Sequence, residues 1–332
     1  MSSIEEFITQ SPIIVQSSLS QLRYLILSDG LPAINNSKTQ KIRCYVWSIL
    51  SRTSMNGTTQ NYLNLLQFGP PSNKIFKKIT DDTFRTFPTD SDFTSQVPKD
   101  VLTRSLSCFA WQTEERNEII KLDRPTDKGT HLLDANSDPT LSKIEISTYV
   151  QGMNVLMATT LYACPTEPMA FQIFSTLCYS MIPTYVTTNM IGARNGVKLL
   201  DLCLKIIDPK LSNFLSRQLL TAEIYGLPSI LTFSSCNKPL IQAVKLWDFM
   251  FAYGFHMNIL LVVAMLVSIR KQILESSNPM NLITRNLPAF NADELISLGV
   301  GFIAKIPIEI YDLLVNHLTD PDIKIPSTFE LT

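Results

Sequence analysis

The sequence predicts an all-α fold, on three observations. Apolar residues recur at three- and four-residue spacing along almost the whole chain, period-two alternation bounded by turn residues is scarce, and Gly, Pro and Asp punctuate the pattern at intervals of ordinary helix length. With 332 residues, 45% of them hydrophobic and 17% charged, the chain can bury one large core or two adjoining ones.

Taken in order, Leu19, Leu22, Leu25 and Ile26 make the first stripe, with Ser17 and Ser18 as candidate caps and Gly30 and Pro32 closing it. A second helix runs through Arg43 and Trp47. Val101, Leu102, Leu106 and Phe109 form a third stripe, entered through Pro98. Val155, Leu156, Thr159 and Thr160 continue a helix begun near Gln151, and Pro168 to Met181 gives another, stopped by Pro183. In the second half, Val197 to Ile207 ends at Asp208-Pro209, Pro239 to Ala252 runs up to Gly254, and Asn291 to Ala304 yields to Pro307. About a dozen or more helices are expected.

Residues 121–143 interrupt this pattern with Pro125, Gly129, Asp134, Asn136, Asp138 and Pro139. They read as an exposed loop inserted within one fold, with a domain linker as the alternative. A softer boundary is expected over residues 184–196, where Asn189, Gly192, Asn195 and Gly196 loosen the chain between two helical halves. No internal repeat is visible, which disfavours a regular solenoid.

Lysine and arginine number 28 against 29 aspartate and glutamate, so no whole-chain field draws the protein to nucleic acid or an anionic membrane. The six cysteines lack any C-x-x-C pair and sit in apolar helical patterns, as in a reduced, cytoplasmic protein. His131, His256 and His317 have no neighbour at ligand spacing, so no structural metal is expected. The first ten residues carry Glu5 and Glu6 and lack the basic-then-apolar order of a signal peptide. Residues 249–269 carry no acidic or basic side chain and are long enough to span a bilayer. Gly254, His256 and Asn258 within them favour a buried helix instead.

No phosphate-binding loop, nucleophile elbow or zinc-protease signature is present. Two polar constellations remain. In Ile79-Thr80-Asp81-Asp82-Thr83-Phe84-Arg85-Thr86-Phe87-Pro88, Pro88 is expected to hold Phe87 extended and so end a helix near Arg85. Asp82, three residues earlier, could share the helical face and orient the guanidinium by a paired hydrogen bond, or the two could be an ordinary surface ion pair. In Tyr149-Val150-Gln151-Gly152-Met153-Asn154, glycine lets another backbone approach, and the glutamine amide can hold a water and a carbonyl at once. Taken alone, that stretch equally fits a helix start with a solvated glutamine.

Together the two stretches resemble the TBC-domain GTPase-activating proteins, as I-x-x-D-x-x-R-T-x-P (Ile79, Asp82, Arg85, Thr86, Pro88) and Y-x-Q-G-M (Tyr149, Gln151, Gly152, Met153). Gly30-Leu31-Pro32 with Arg43, Val46, Trp47 and Leu50 resembles the family's opening motif, and Trp247-Asp248 with Phe251 and Gly254 its late one. The four motifs stand in order over residues 19–318. Within the family, the stretches 18–24, 221–226, 246–258 and 299–305 resemble fungal members that act in a spindle-position checkpoint.

The resemblance implies a two-lobed helical TBC domain over residues 18–318, with lobes at about 18–186 and 187–318, an N-terminal extension 1–17 and a tail 319–332. It implies an activator that is not an enzyme by itself: Arg85 and Gln151 act in trans on a Ras-like small GTPase in its GTP form. Asp82 would position Arg85, and Tyr149 and Gly152 would shape the loop that presents Gln151. For Arg43 and Trp47, at i and i+4, packing of the indole under the guanidinium is expected. The chain needs no cofactor of its own, since GTP and Mg belong to the partner. The GTPase implied is that of mitotic exit, with a non-TBC adaptor subunit and spindle pole components as further partners, and the spindle pole body as the place of action. Neither nucleic acid nor membrane insertion is implied. The alternative is a non-catalytic scaffold that binds the GTPase and adaptor, and the retention of Arg85 and Gln151 argues for activity.

Overall fold

A computed structural model describes residues 15–34, 36–122 and 144–326, and among them it is built from helices and turns with no strand. The N-terminal half runs α1 (Val15–Asp29), α2 (Ser37–Leu50), α3 (Thr58–Leu66), α4 (Asn73–Phe84), α5 (Ser91–Gln96), α6 (Lys99–Leu122), α7 (Met153–Ala163) and α8 (Glu167–Thr176). A π-type turn, Leu177–Met181, and a 3₁₀ turn, Pro183–Val186, lead into the second half. There follow α9 (Ile191–Ile207), α10 (Pro209–Arg217), α11 (Ala222–Tyr225), α12 (Leu227–Leu231) and α13 (Leu240–Tyr253). The chain ends through α14 (Asn258–Ser268), α15 (Arg270–Glu275), α16 (Pro279–Thr284), α17 (Ala292–Ile303) and α18 (Ile308–Asn316).

Local signals place many of these ends. Asn36 caps α2 by accepting from Lys38 N and Thr39 N, while Thr39 Oγ1 accepts in return from Asn36 N. Asn291 caps α17 in the same way, accepting from Asp293 N and Glu294 N. Gly30 closes α1 with φ +71° and donates its N–H to Ile26 O at 3.0 Å. Ser17 and Ser18, by contrast, lie inside α1, which already runs at Val15. Serine is only a modest helix former, and that weak preference does not end a helix held by packing.

The buried side chains form one continuous core. Helices on either side of Val186 pack largely within their own group, and α1 and α2 cross between the groups to pack on α13. Trp47 stacks on Phe251 at 4.6 Å and lies 5.9 Å from Trp247, an aromatic cluster that fixes this crossing.

Two expectations change, and a third, the burial of residues 249–269, is borne out but as two helices. Residues 191–196 are not a loose connection but the first turns of α9. Gly192 and Gly196 are there for closeness: a Cβ on Gly196 would stand 2.6 Å from Tyr185 Oη and 2.8 Å from Ile230. The apolar run 249–269 is broken at Gly254, whose φ of +148° turns α13 through a 3₁₀ turn into α14. Both helices are buried in protein, and no helix among the described residues is long and apolar enough to cross a membrane. Finally, Phe87 is not extended but left-handed, with φ +44°. Its ring packs edge-on to Phe93 at 5.1 Å and its carbonyl accepts from Asp90 N, so the turn and this contact override the preference set by Pro88. The inserted segment, apart from its first two residues at the end of α6, lies outside the described residues, as do His131 and the outer parts of both termini.

Candidate functional site

Arg85 follows directly on α4, as its C-terminal cap residue, with its own N–H turned back to Asp82 O and Thr83 O. One face of this helix end is buried, with Ile79, Asp82, Thr83 and Thr86 inward, and Phe84 and Arg85 are exposed. The guanidinium is therefore presented outward while its anchor is fixed in the core. That anchor is Asp82 Oδ1, which accepts from one Nη of Arg85. The contact is single rather than the paired one expected, so the other donors of the guanidinium remain directed elsewhere.

The segment carrying Gln151 is fixed from its other side. Asn117 Nδ2 donates to Ile146 O at 2.6 Å and Ser147 N to Val186 O at 2.9 Å, which pins the approach to Tyr149. Gln151 stands exposed in a tight turn closed by Met153 N to Val150 O at 3.3 Å. Gly152 has φ +98°, and a Cβ there would meet Leu231 Cγ at 2.9 Å, so the turn needs glycine on both conformational and steric grounds.

The two segments meet beneath the surface. Tyr149 Oη donates to Asp82 Oδ2 at 2.6 Å, on the carboxylate that also receives Arg85. Burial first, and the adjoining carboxylate second, push the Tyr149 phenol well above its ordinary range, so it stays a donor. A second tie runs in parallel: Asn154 Nδ2 donates to Thr86 Oγ1 at 2.8 Å, and Thr86 Oγ1 donates to Asp82 O at 2.8 Å. Asn154 Oδ1 also accepts from Gly152 N at 3.2 Å, linking the bridge to the turn itself. Asn154 was not among the predicted site residues. Its signal was a polar amide in the first turn of an otherwise apolar helix, where burial demands a partner.

Arg85, Gln151, Gly152 and Asn154 line a cleft of 850 Å³, together with Met190, Arg194 and Lys198 of or beside α9 and Leu227 and Leu231 of α12. Arg43 and Trp47 are not in it. Both are buried and converge on Asp248: Arg43 Nε donates to Oδ1 at 2.9 Å, its Nη2 to Oδ2 at 3.0 Å, and Trp47 Nε1 to Oδ1 at 2.8 Å. The expected stacking of indole under guanidinium is replaced by this shared carboxylate, because a buried cation is stabilised more by an anion than by a ring face. Burial pushes the Asp248 carboxyl up, against the opposing pull of Arg43. No group of three or more His, Cys, Asp or Glu side chains among the described residues is placed to hold a metal.

The cleft thus lies in an all-helical fold, between helix ends far apart in the sequence. Residues 40–274 match the Rab-GTPase-TBC domain, and the chain belongs to that family. It is 60% identical over 326 residues to the mitotic check point protein BUB2 of Saccharomyces cerevisiae, covering 98% of this chain and 100% of the relative. It is 34% identical over 319 residues to cell division control protein 16 of Schizosaccharomyces pombe, covering 96% and 94%. Among solved structures, the Ypt/Rab-GAP domain of GYP1P shares the fold with a TM-score of 0.66 at 14% identity, over 91% of this chain and 96% of that one. The Chlamydomonas flagellar RabGAP TBC domain does so with a TM-score of 0.56 at 18% identity, over 95% and 88%.

Proposed function

We propose that this chain is a GTPase-activating protein of a mitotic checkpoint, placing Arg85 and Gln151 in trans at the nucleotide of a Ras-like small GTPase in its GTP form. The observation that carries this reading is that Arg85 and Gln151 open onto one cleft while Asp82–Tyr149 and Thr86–Asn154 lock their segments together below it. GTP hydrolysis needs an in-line water and relief of the charge that gathers on the transferring phosphoryl group. Arg85, tethered by one Nη, keeps further N–H donors for the phosphoryl oxygens. Gln151 orients the water, its carbonyl oxygen accepting from the water and its amide N–H donating to an acceptor on the GTPase. GTP and Mg stay on the GTPase, so the chain acts as an activator and not as an enzyme by itself.

The names of the two fungal relatives support a place in mitotic control. We assign the GTPase to mitotic exit, with a non-TBC adaptor as stable partner and the spindle pole body as the place of action. The activity resides in a TBC domain over residues 18–318, with lobes meeting near residue 186.

Single-turnover GTP hydrolysis by the mitotic-exit GTPase, with and without the adaptor, tests the reading. Wild type is expected to accelerate the reaction, and Arg85→Ala and Gln151→Ala each to remove at least about 100-fold of that gain while binding persists. Binding by wild type without acceleration would instead make the chain a scaffold.

A further inference from the structure

Along α9, Gly192, Ala193, Asn195, Gly196 and Val197 are buried, whereas Arg194 and Lys198 are exposed one helical turn apart. Like charges at that spacing repel, so the pair costs the isolated helix stability. The other exposed turn of the same helix is built the ordinary way, with Lys205 Nζ 2.7 Å from Asp201. Neither Arg194 nor Lys198 has an acidic partner among the described residues. Both line the cleft that holds Arg85 and Gln151, where Glu223 is the one exposed acid among the lining residues.

We propose that Arg194 and Lys198 are the specificity-determining wall of this cleft, engaging carboxylates on the surface of the GTPase beside its nucleotide site. The inference rests on the reading of the cleft as the GTPase site. They stand on a different element from either finger segment. A GTPase seated with its nucleotide at Arg85 and Gln151 therefore presents protein surface, not phosphate, to α9. The exposed cations of the cleft outnumber its exposed acid, and Leu227 and Leu231 give the same wall an apolar component. An acidic, partly apolar patch on the partner is the complement of such a wall. Interfacial charges of this kind act chiefly on encounter and partner choice.

The test is single-turnover hydrolysis at rising activator concentration, beside binding to the GTPase loaded with a non-hydrolysable GTP analogue. For R194E/K198E the half-saturating concentration is expected to rise about tenfold or more, with the rate at saturation held within about twofold of wild type. The neutral R194Q/K198Q should shift less, and added salt should weaken wild type more than either variant. K210E/K271E, a charge-matched change outside the cleft, should leave half-saturation unchanged. An unchanged half-saturation in R194E/K198E, an equal shift in the control pair, or a loss confined to the saturated rate would each overturn the proposal. Failure of wild type to accelerate hydrolysis would count against the activator reading instead, and the binding arm still decides whether the α9 pair recognises the partner.

Discussion

At the scale of single residues, the proposed site is organised around one carboxylate, that of Asp82. Asp82 is buried, so its charge must be met, and it is met by one group from each motif: Arg85 from its own helix end and Tyr149 from across the cleft floor. Because Tyr149 is held in its protonated form, it donates at any physiological pH and leaves the remaining negative charge for Arg85. Tyr149→Phe removes that donor and little else. It is expected to cost about 1–2 kcal/mol of stability, read from denaturant midpoints, and to reduce activation by much less than Arg85→Ala does. A loss as large as that of Arg85→Ala would mean that Tyr149 contacts the reacting groups rather than positioning Arg85. The residues of this network were legible unequally. Asp82, Arg85, Tyr149 and Gln151 announce themselves by motif, whereas the Thr86–Asn154 bond depends on two helix ends meeting, which spacing along one strand of sequence does not encode.

At the scale of elements, the site needs α4 and α7 to hold their ends together, and the whole arrangement needs α2 fixed on α13. The second task falls to Arg43 and Asp248, both buried, with Trp47 completing the carboxylate's hydrogen bonds and Pro32 O taking one guanidinium N–H at 2.7 Å. Removing one member of a buried pair leaves the other unmatched in low dielectric, which is worse than removing both. Arg43→Met and Asp248→Leu are therefore each expected to lose about 3–5 kcal/mol of stability, and the two combined to lose distinctly less than their sum. Denaturant unfolding of the two single variants and the double gives the cycle. Additive losses would show that the pair is not coupled. The bounds of α2, α13 and α17 follow from local caps and breakers, but the start of α9 does not. Gly192 and Gly196 read as loosening residues, and they become helical because Thr184, Tyr185 and Ile230 press against the places where side chains would be.

At the scale of the whole molecule, two buried histidines link stability to pH. His317 Nδ1 donates to Leu314 O at 2.6 Å, so Nε2 of the neutral ring accepts from Tyr185 Oη at 2.8 Å, and His256 Nε2 meets Tyr311 Oη at 3.0 Å. Burial pulls both imidazoles down to about 4, from the ordinary value of 6.5. The unfolded chain therefore takes up protons below about pH 6.5 that the folded chain refuses until about pH 4. The stability from keeping these histidines neutral is fully present above that window and declines as pH falls through it, by roughly 3 kcal/mol for each histidine. Denaturant midpoints measured across the window should fall with pH, and His256→Gln should flatten the decline. A slope unchanged by that substitution would place the linkage elsewhere.

What the sequence determined by itself was the fold class, the longer helices and the two motifs proposed to carry Arg85 and Gln151 into the site, because helical periodicity, caps and breakers are properties of neighbours along the chain. Even the burial of residues 249–269 was readable, since Gly254, His256 and Asn258 are costly in lipid. Tertiary structure alone decided the left-handed turn at Phe87, the early start of α9, the convergence of Arg43 and Trp47 on Asp248, and the bond that ties Thr86 to Asn154. Each of these is set by a partner far away in sequence, through a buried charge, a close backbone approach or a ring contact whose free energy exceeds the local preference it overrides.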